Sequence, residues 1–174
     1  LLKNAITFTK WYLPAQAAMG LMNTFTRGLG NAVAAQRTFK VLEAVFQGTE
    51  QDAKRLATQT LLLASANGRS ADEAAEAAVK WARLGLTRTQ VLLGLETSLR
   101  AANVAEISTA EATEYLTATY KSFGLTIADL PSVLDYLNAL SNRYNVTNKD
   151  LFEGISRTAS VARQAGLEFE SLAG

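Results

Sequence analysis

Six times between Asn67 and Glu168, this chain carries residues that stop one helix and start the next within a few positions. In Asn67-Gly68-Arg69-Ser70-Ala71-Asp72-Glu73, glycine can take the left-handed conformation that closes a helix. Ser70 can then cap the next helix, with Glu73 reaching back three residues later in a capping box. Leu84-Gly85-Leu86-Thr87-Arg88-Thr89-Gln90 repeats the pattern, with Thr87 and Gln90 in the two roles. Ile107-Ser108-Thr109-Ala110-Glu111 does so without the glycine, and Gly124-Leu125-Thr126 follows with Asp129 in the first turn. In Tyr144-Asn145-Val146-Thr147-Asn148-Lys149-Asp150, asparagine takes glycine's place, and Ala165-Gly166-Leu167-Glu168 is a weaker instance. Leu86, Ile107, Leu125 and Val146 each precede a cap, the position of a hydrophobic staple that fixes the angle of the incoming helix. Each cap contributes roughly 1 kcal/mol, so several in series sharply bound short helices. The caps fall 17 to 21 residues apart, a spacing too irregular to define a fixed repeat.

Between the joints, apolar residues recur every three and four positions. Leu92, Leu95, Leu99 and Ala102 form one stripe, and Leu116, Tyr120 and Phe123 the next. Leu130, Val133, Leu137, Leu140 and Tyr144 form a third; Phe152, Ile155, Ala159 and Ala162 form a fourth. Such stripes face a shared core. Ala74, Ala75, Ala78 and Ala82 give an alanine face beside Trp81, which permits close helix approach. Much of the 48% apolar content is alanine, and only two prolines occur, which favours packed helices over a β core.

The first 46 residues follow a different rule. Leu21, Phe25, Gly28, Ala32, Ala35, Phe39, Leu42 and Phe46 step alternately by four and three, a heptad seam with small residues at its middle. Gly28 and Gly30 weaken the helix there, and Pro14 fits a first turn better than an interior. The expected fold is therefore all-α: a compact stack of short capped helices over 47–174, preceded by a longer N-terminal helical arm over 1–46. The absence of an initiator Met, and an end at Leu172-Ala173-Gly174, read as a segment of a longer polypeptide. The longest uncharged run, Trp11 to Thr26, is shorter than the roughly 20 residues that span a bilayer. No signal peptide is evident.

The residue inventory excludes much chemistry. With no cysteine and no histidine, thiol catalysis, disulfides, Cys/His zinc sites and Ser-His-Asp machinery are all excluded. Carboxylates are the remaining acid–base groups. Asp135 shares one helical face with Asn138 and Asn142, which could be a polar site in a groove. No second carboxylate is placed to pair with Asp135, so the face reads better as solvated or as an interhelical hydrogen-bonding surface. Asp129 and Asp150 suit the positive end of a helix dipole. Glu73 and Glu111 read as capping partners, and Asp72, Glu73 and Glu76 as a charged face. Gly28-Leu29-Gly30 is too short for a phosphate loop. We expect no catalytic, cofactor-binding or metal-ligating residues, no cofactor, and no enzyme. Lys3, Lys10, Arg27, Arg37 and Lys40 against Glu43 give residues 1–46 a net +4 and leave −3 for the rest. No basic stripe is interleaved with aromatics, so no specific nucleic-acid binding is expected.

From Phe46 to Gly174 the chain resembles the core region of phage tail tape measure proteins. The residues that carry the likeness are Gly68-Arg69-Ser70-Ala71-Asp72-Glu73-Ala74, Ala82-Arg83-Leu84-Gly85-Leu86-Thr87 and Ser108-Thr109-Ala110-Glu111-Ala112. They continue through Phe123-Gly124-Leu125, Val133-Leu134-Asp135-Tyr136-Leu137-Asn138, Asn142 and Val146-Thr147-Asn148-Lys149-Asp150-Leu151, and end at Ala162-Arg163-Gln164-Ala165-Gly166-Leu167. Each is weak alone; their order and spacing carry the resemblance. It implies a virion structural protein that sets tail length during assembly, occupies the tail tube and leaves ahead of the genome. Its implied partners are tail tube and tail tip proteins, and its implied locations the tail lumen and, during assembly, the host cytoplasm. Two other readings stay open. One is a membrane-active helical protein whose Trp11–Phe46 region contacts the host membrane after release. The other is a soluble helical adaptor that binds partner helices. The heptad seam is expected to make the arm a homo-oligomer.

Overall fold

The computed structural model describes residues 32–165, which form seven α-helices and no strand. They are α1 (Ala32–Val45), α2 (Glu50–Ala66), α3 (Ala71–Ala82), α4 (Arg88–Val104), α5 (Thr109–Phe123), α6 (Leu130–Tyr144) and α7 (Asn148–Gln164), with a 3-10 turn at Ile127–Asp129 before α6. The breaks expected near Gly68, Gly85, residues 104–107, Gly124 and Asn145 all fall between helices.

The caps act locally as their residue types dictate, with two differences. Thr87 with Gln90 and Ser108 with Glu111 form complete capping boxes. Ser70 accepts from the Glu73 N–H at 3.2 Å, but the Glu73 carboxylate turns away from the cap. It accepts instead from the Thr109 hydroxyl of α5 at 3.1 Å, so this box is half formed and its acid ties two helices together. At Thr126, the Asp129 carboxylate accepts from both the Thr126 N–H and its hydroxyl, each at 2.7 Å. Thr126 stands at the N-cap of the 3-10 turn, and no side chain caps α6. Pro131 then stands in the first turn of α6, where its missing N–H costs nothing.

The helices are arranged as an open stack. Each packs on its near neighbours in the chain: α1 on α2 and α3, α2 on α3 and α4, α3 on α4 and α5, α4 on α5 and α6, and α7 on α5 and α6. No helix packs extensively on one more than two places away. The odd helices form one row and the even helices the other. Consecutive helices α5 and α6 are the exception to neighbour packing; α6 leans on α4 and α7 instead.

This arrangement resolves the irregular cap spacing. The N-caps at Thr49, Ser70, Thr87, Ser108, Thr126 and Thr147 are separated by 21, 17, 21, 18 and 21 residues. Long and short steps alternate, so the repeating unit is a pair of helices. Thr49 to Thr87 and Ser70 to Ser108 are each 38 residues; Thr87 to Thr126 and Ser108 to Thr147 are each 39. Positions matched in this register share their environment. Ala53, Val91 and Leu130 are buried together in one register position, Ala57, Leu95 and Leu134 in another, and Ala78, Leu116 and Ile155 in a third. Gly68, Glu106 and Asn145 occupy the same place at the ends of α2, α4 and α6, and all three have positive φ, of 67°, 55° and 53°. The backbone demands a left-handed residue there, and two of the three sites supply one without glycine. Architectures in which each unit touches only its neighbours are quasi-one-dimensional solenoids.

Near the end of the stretch read from the sequence as an arm, Phe39, Leu42, Val45 and Phe46 pack on the same core. Leu42 is fully buried, Phe46 is nearly so, and both belong to one cluster with Trp81, Leu95 and Leu134. The rest of the seam, from Leu21 through Ala35, lies outside the residues whose side chains are described.

Candidate interaction surface

Among the described residues the groups that could carry chemistry do not converge. Asp135 is exposed on α6, 3.4 Å from the Arg100 guanidinium of α4. Asn138 accepts from the Asn148 side chain of α7 at 3.3 Å, and Asn142 is exposed. The Asp135–Asn138–Asn142 face thus ties α6 to its two packing neighbours, the interhelical reading. Asp129 and Glu111 serve the cap positions, and both carboxyls are held below their ordinary values. The main cause is the hydroxyl bond from Thr126 or Ser108, followed by the backbone N–H of the same residue. Asp150 receives the Thr147 hydroxyl at 2.6 Å, and its own N–H donates back to Thr147 at 3.1 Å. Among the described residues no group of three or more acidic side chains could hold a metal ion. No described helix is long and apolar enough to cross a membrane, and most of the Trp11–Phe46 stretch lies outside the described residues.

What the arrangement builds instead is a set of ties between helices two places apart. The Thr38 hydroxyl donates to Asp72 at 2.9 Å, linking α1 to α3. The Lys80 ammonium meets Glu114 at 2.8 Å, linking α3 to α5. Arg69 donates to Asn103 at 2.8 Å, and Asn103 donates to the Asn67 carbonyl at 3.0 Å, stitching the joint after α2 to the end of α4. These pairs, with Glu73–Thr109 and Arg100–Asp135, are 34 to 36 residues apart. Ion pairs this exposed contribute little to stability, about 0–1 kcal/mol each. Their use is to fix the register of one hairpin on the next.

The apolar centre of the stack is a single close approach. Gly94 of α4 sits so near Trp81 of α3 that a Cβ there would lie 2.7 Å from the ring. The indole N–H donates to Ser98 at 3.0 Å, and Ser98 in turn donates to the Gly94 carbonyl at 2.9 Å. Tyr120 of α5 meets the ring edge-on at 6.2 Å between centroids. A buried indole is thus satisfied and held from two following helices. Neither this node nor the tie residues Arg69, Lys80 and Arg100 are evident from caps and stripes alone. Self-comparison does not mark them either: at 38 or 39 residues' offset Arg69, Lys80 and Arg100 match Ile107, Ala118 and Ala139.

A repeating helical stack whose polar side chains serve caps and interhelical ties offers protein-facing surface, and among its described residues no converging reactive group. The profile of the phage-related minor tail proteins matches residues 50–174. No solved structure matches the chain. The match begins at the first residue of α2 and takes in every cap-to-cap unit described above, so the chain belongs to the family of phage-related minor tail proteins.

Proposed function

We propose that this chain is a folded segment of a tape measure protein. In this reading the whole protein sets tail length during assembly, occupies the tail tube and leaves ahead of the DNA at infection. The role is structural, without catalysis, and the partners are tail tube and tail tip proteins. The observation that carries the reading is the family match across α2 to α7, on helices organised for packing. Geometry refines it. A straight helix advances about 1.5 Å per residue, so 38 residues would measure roughly 57 Å of tail. A hairpin in a stack advances by about one interhelix spacing, roughly 10 Å. The stack is therefore a module carried by the ruler and a poor ruler itself.

The test is genetic. Removing Ser70–Ile107 deletes one hairpin and joins Arg69 to Ser108 in register. Tails of nearly unchanged length are expected by electron microscopy; a loss of about 57 Å would mean that this stretch is laid out as extended helix. Removing the whole protein is expected to abolish uniform tail length. Uniform tails of normal length in its absence overturn the tape measure reading.

Self-association of the arm belongs to the same proposal. It would run through residues before Phe39, because Leu42 and Phe46 are taken up by the chain's own core. Single cysteines at position 32 are expected to cross-link between copies. Their failure to do so removes the oligomer from the scheme.

A further inference from the structure

The repeat register exposes a face on α7 that its counterparts bury. Ala77 and Trp81 of α3, with Leu84 in the turn after it, correspond to Tyr115, Thr119 and Ser122 of α5 and to Gly154, Thr158 and Val161 of α7. Trp81 and Thr119 are 0% and 2% exposed, whereas Thr158 is exposed. Leu84 and Ser122 are half-buried, whereas Val161 is 66% exposed, the largest value among the exposed large apolar residues. Ala77 is buried and Tyr115 half-buried under Phe152 of α7, while Gly154 is open. On α3 and α5 this stripe is covered by helices that come later in the chain. Trp81 meets Gly94 and Ser98 of α4 and Tyr120 of α5; Tyr115 stacks on Phe152 of α7.

The sequence after α7 carries the joint that opens the even helices α4 and α6. Gly166-Leu167-Glu168-Phe169-Glu170-Ser171-Leu172 matches Gly85-Leu86-Thr87-Arg88-Thr89-Gln90-Val91 and Gly124-Leu125-Thr126-Ile127-Ala128-Asp129-Leu130 in its Gly-Leu start and in its aliphatic residue six places on. Val91 and Leu130, the counterparts of Leu172, are both fully buried. Glu168 replaces the Thr cap. We propose that the Gly154–Thr158–Val161 face of α7 is the docking seat for residues 166–174, which enter as the next even helix, three residues later than the 39-residue step would place it. The stack is then open-ended: α7 is an interior helix of a longer solenoid, and its outer face is an internal contact.

Because the chain has no cysteine, one substitution reads the contact. Val161→Cys is made in the 174-residue chain and its maleimide labelling rate measured. The same cysteine is measured beside Phe169→Asp and Leu172→Asp, with circular dichroism checking that all variants keep their helix content. Labelling roughly tenfold slower in the chain with Phe169 and Leu172 intact is expected. Equal rates overturn the proposal. Protection that grows with protein concentration also overturns it, since the cover would then be a second copy.

Discussion

Helices α3 and α7 occupy the same place in the repeat, and their neighbourhoods differ. Both follow a Ser or Thr cap, and both carry a glutamate six residues on, Glu76 and Glu153. Among the described helices α3 packs on α1, α2, α4 and α5, and α7 packs on α5 and α6. α3 buries six alanines, Val79 and Trp81; the described part of α7 buries only Phe152 and Ile155. Where four helices crowd one, small side chains let the backbones approach and a single indole fills the remaining space. Where two helices support one, larger side chains reach across. Residue size along this repeat follows the number of neighbours, and register alone does not set it.

The largest test of that contrast is truncation at one register position in both helices. Trp81→Ala should cost about 3–5 kcal/mol in a denaturant melt, through the cavity and the loss of the Ser98 bond. Thr158→Ala, its counterpart on α7, should change stability by less than about 0.5 kcal/mol in the undocked Phe169→Asp/Leu172→Asp background. A comparable loss at both sites would mean that α7 is as enclosed as α3.

Glycine substitutions should differ in sign. Gly94→Ala drives a methyl into the Trp81 ring and should destabilise by roughly 1–3 kcal/mol. In the undocked Phe169→Asp/Leu172→Asp background, Gly154→Ala meets nothing within 4 Å and should stabilise by up to about 1 kcal/mol through helix propensity. Loss of stability at Gly154 would show an unseen neighbour on that face.

The caps sharpen the comparison at smaller scale. Thr147→Ala removes a hydroxyl that accepts from the Asp150 N–H and should cost about 1 kcal/mol. Thr126→Ala should cost about half that or less, because the Asp129 carboxylate still accepts from the Thr126 backbone N–H. Equal losses would mean that the Thr126 hydroxyl caps after all.

The smallest effect is acid sensitivity. Glu111 and Asp129 have lowered values in the fold, so their contribution is fully present above the ordinary values of 4.5 and 3.8. It is lost as pH falls through the lower folded values. Both carboxylates are exposed, and a slight fall in Tm below pH 4.5 is expected, diminished in Glu111→Gln. An unchanged acid limb in that variant would remove Glu111 from the account.

The helices were legible in the sequence because their signals are local. Ser70, Thr87, Ser108 and Thr147 cap the helices that their neighbours announce, and the stripes through Leu95, Leu116 and Leu137 face the core. Glu73 was misread because a carboxylate three residues after a serine satisfies the local rule equally well, whether it turns back or reaches Thr109 on another helix. Thr126 was misread because sequence does not tell a 3-10 first turn from an α one. The repeat was hidden by reading caps one step at a time, when the period lies two steps apart. Asp135 has no second carboxylate placed beside it in the sequence; its actual partner, Arg100, lies on a helix that only the stack brings near.

A stack without packing beyond the next-but-one helix also has a mechanical character. Traction applied to its ends meets no distant contact that must break first, so resistance is confined to the hairpin then under load. Each hairpin that yields lets out 38 or 39 residues, on the order of 130 Å of extended chain. The remainder keeps its shape until its own turn. Such a chain can be drawn through a passage hardly wider than one helix, in steps, without ever unfolding as a whole.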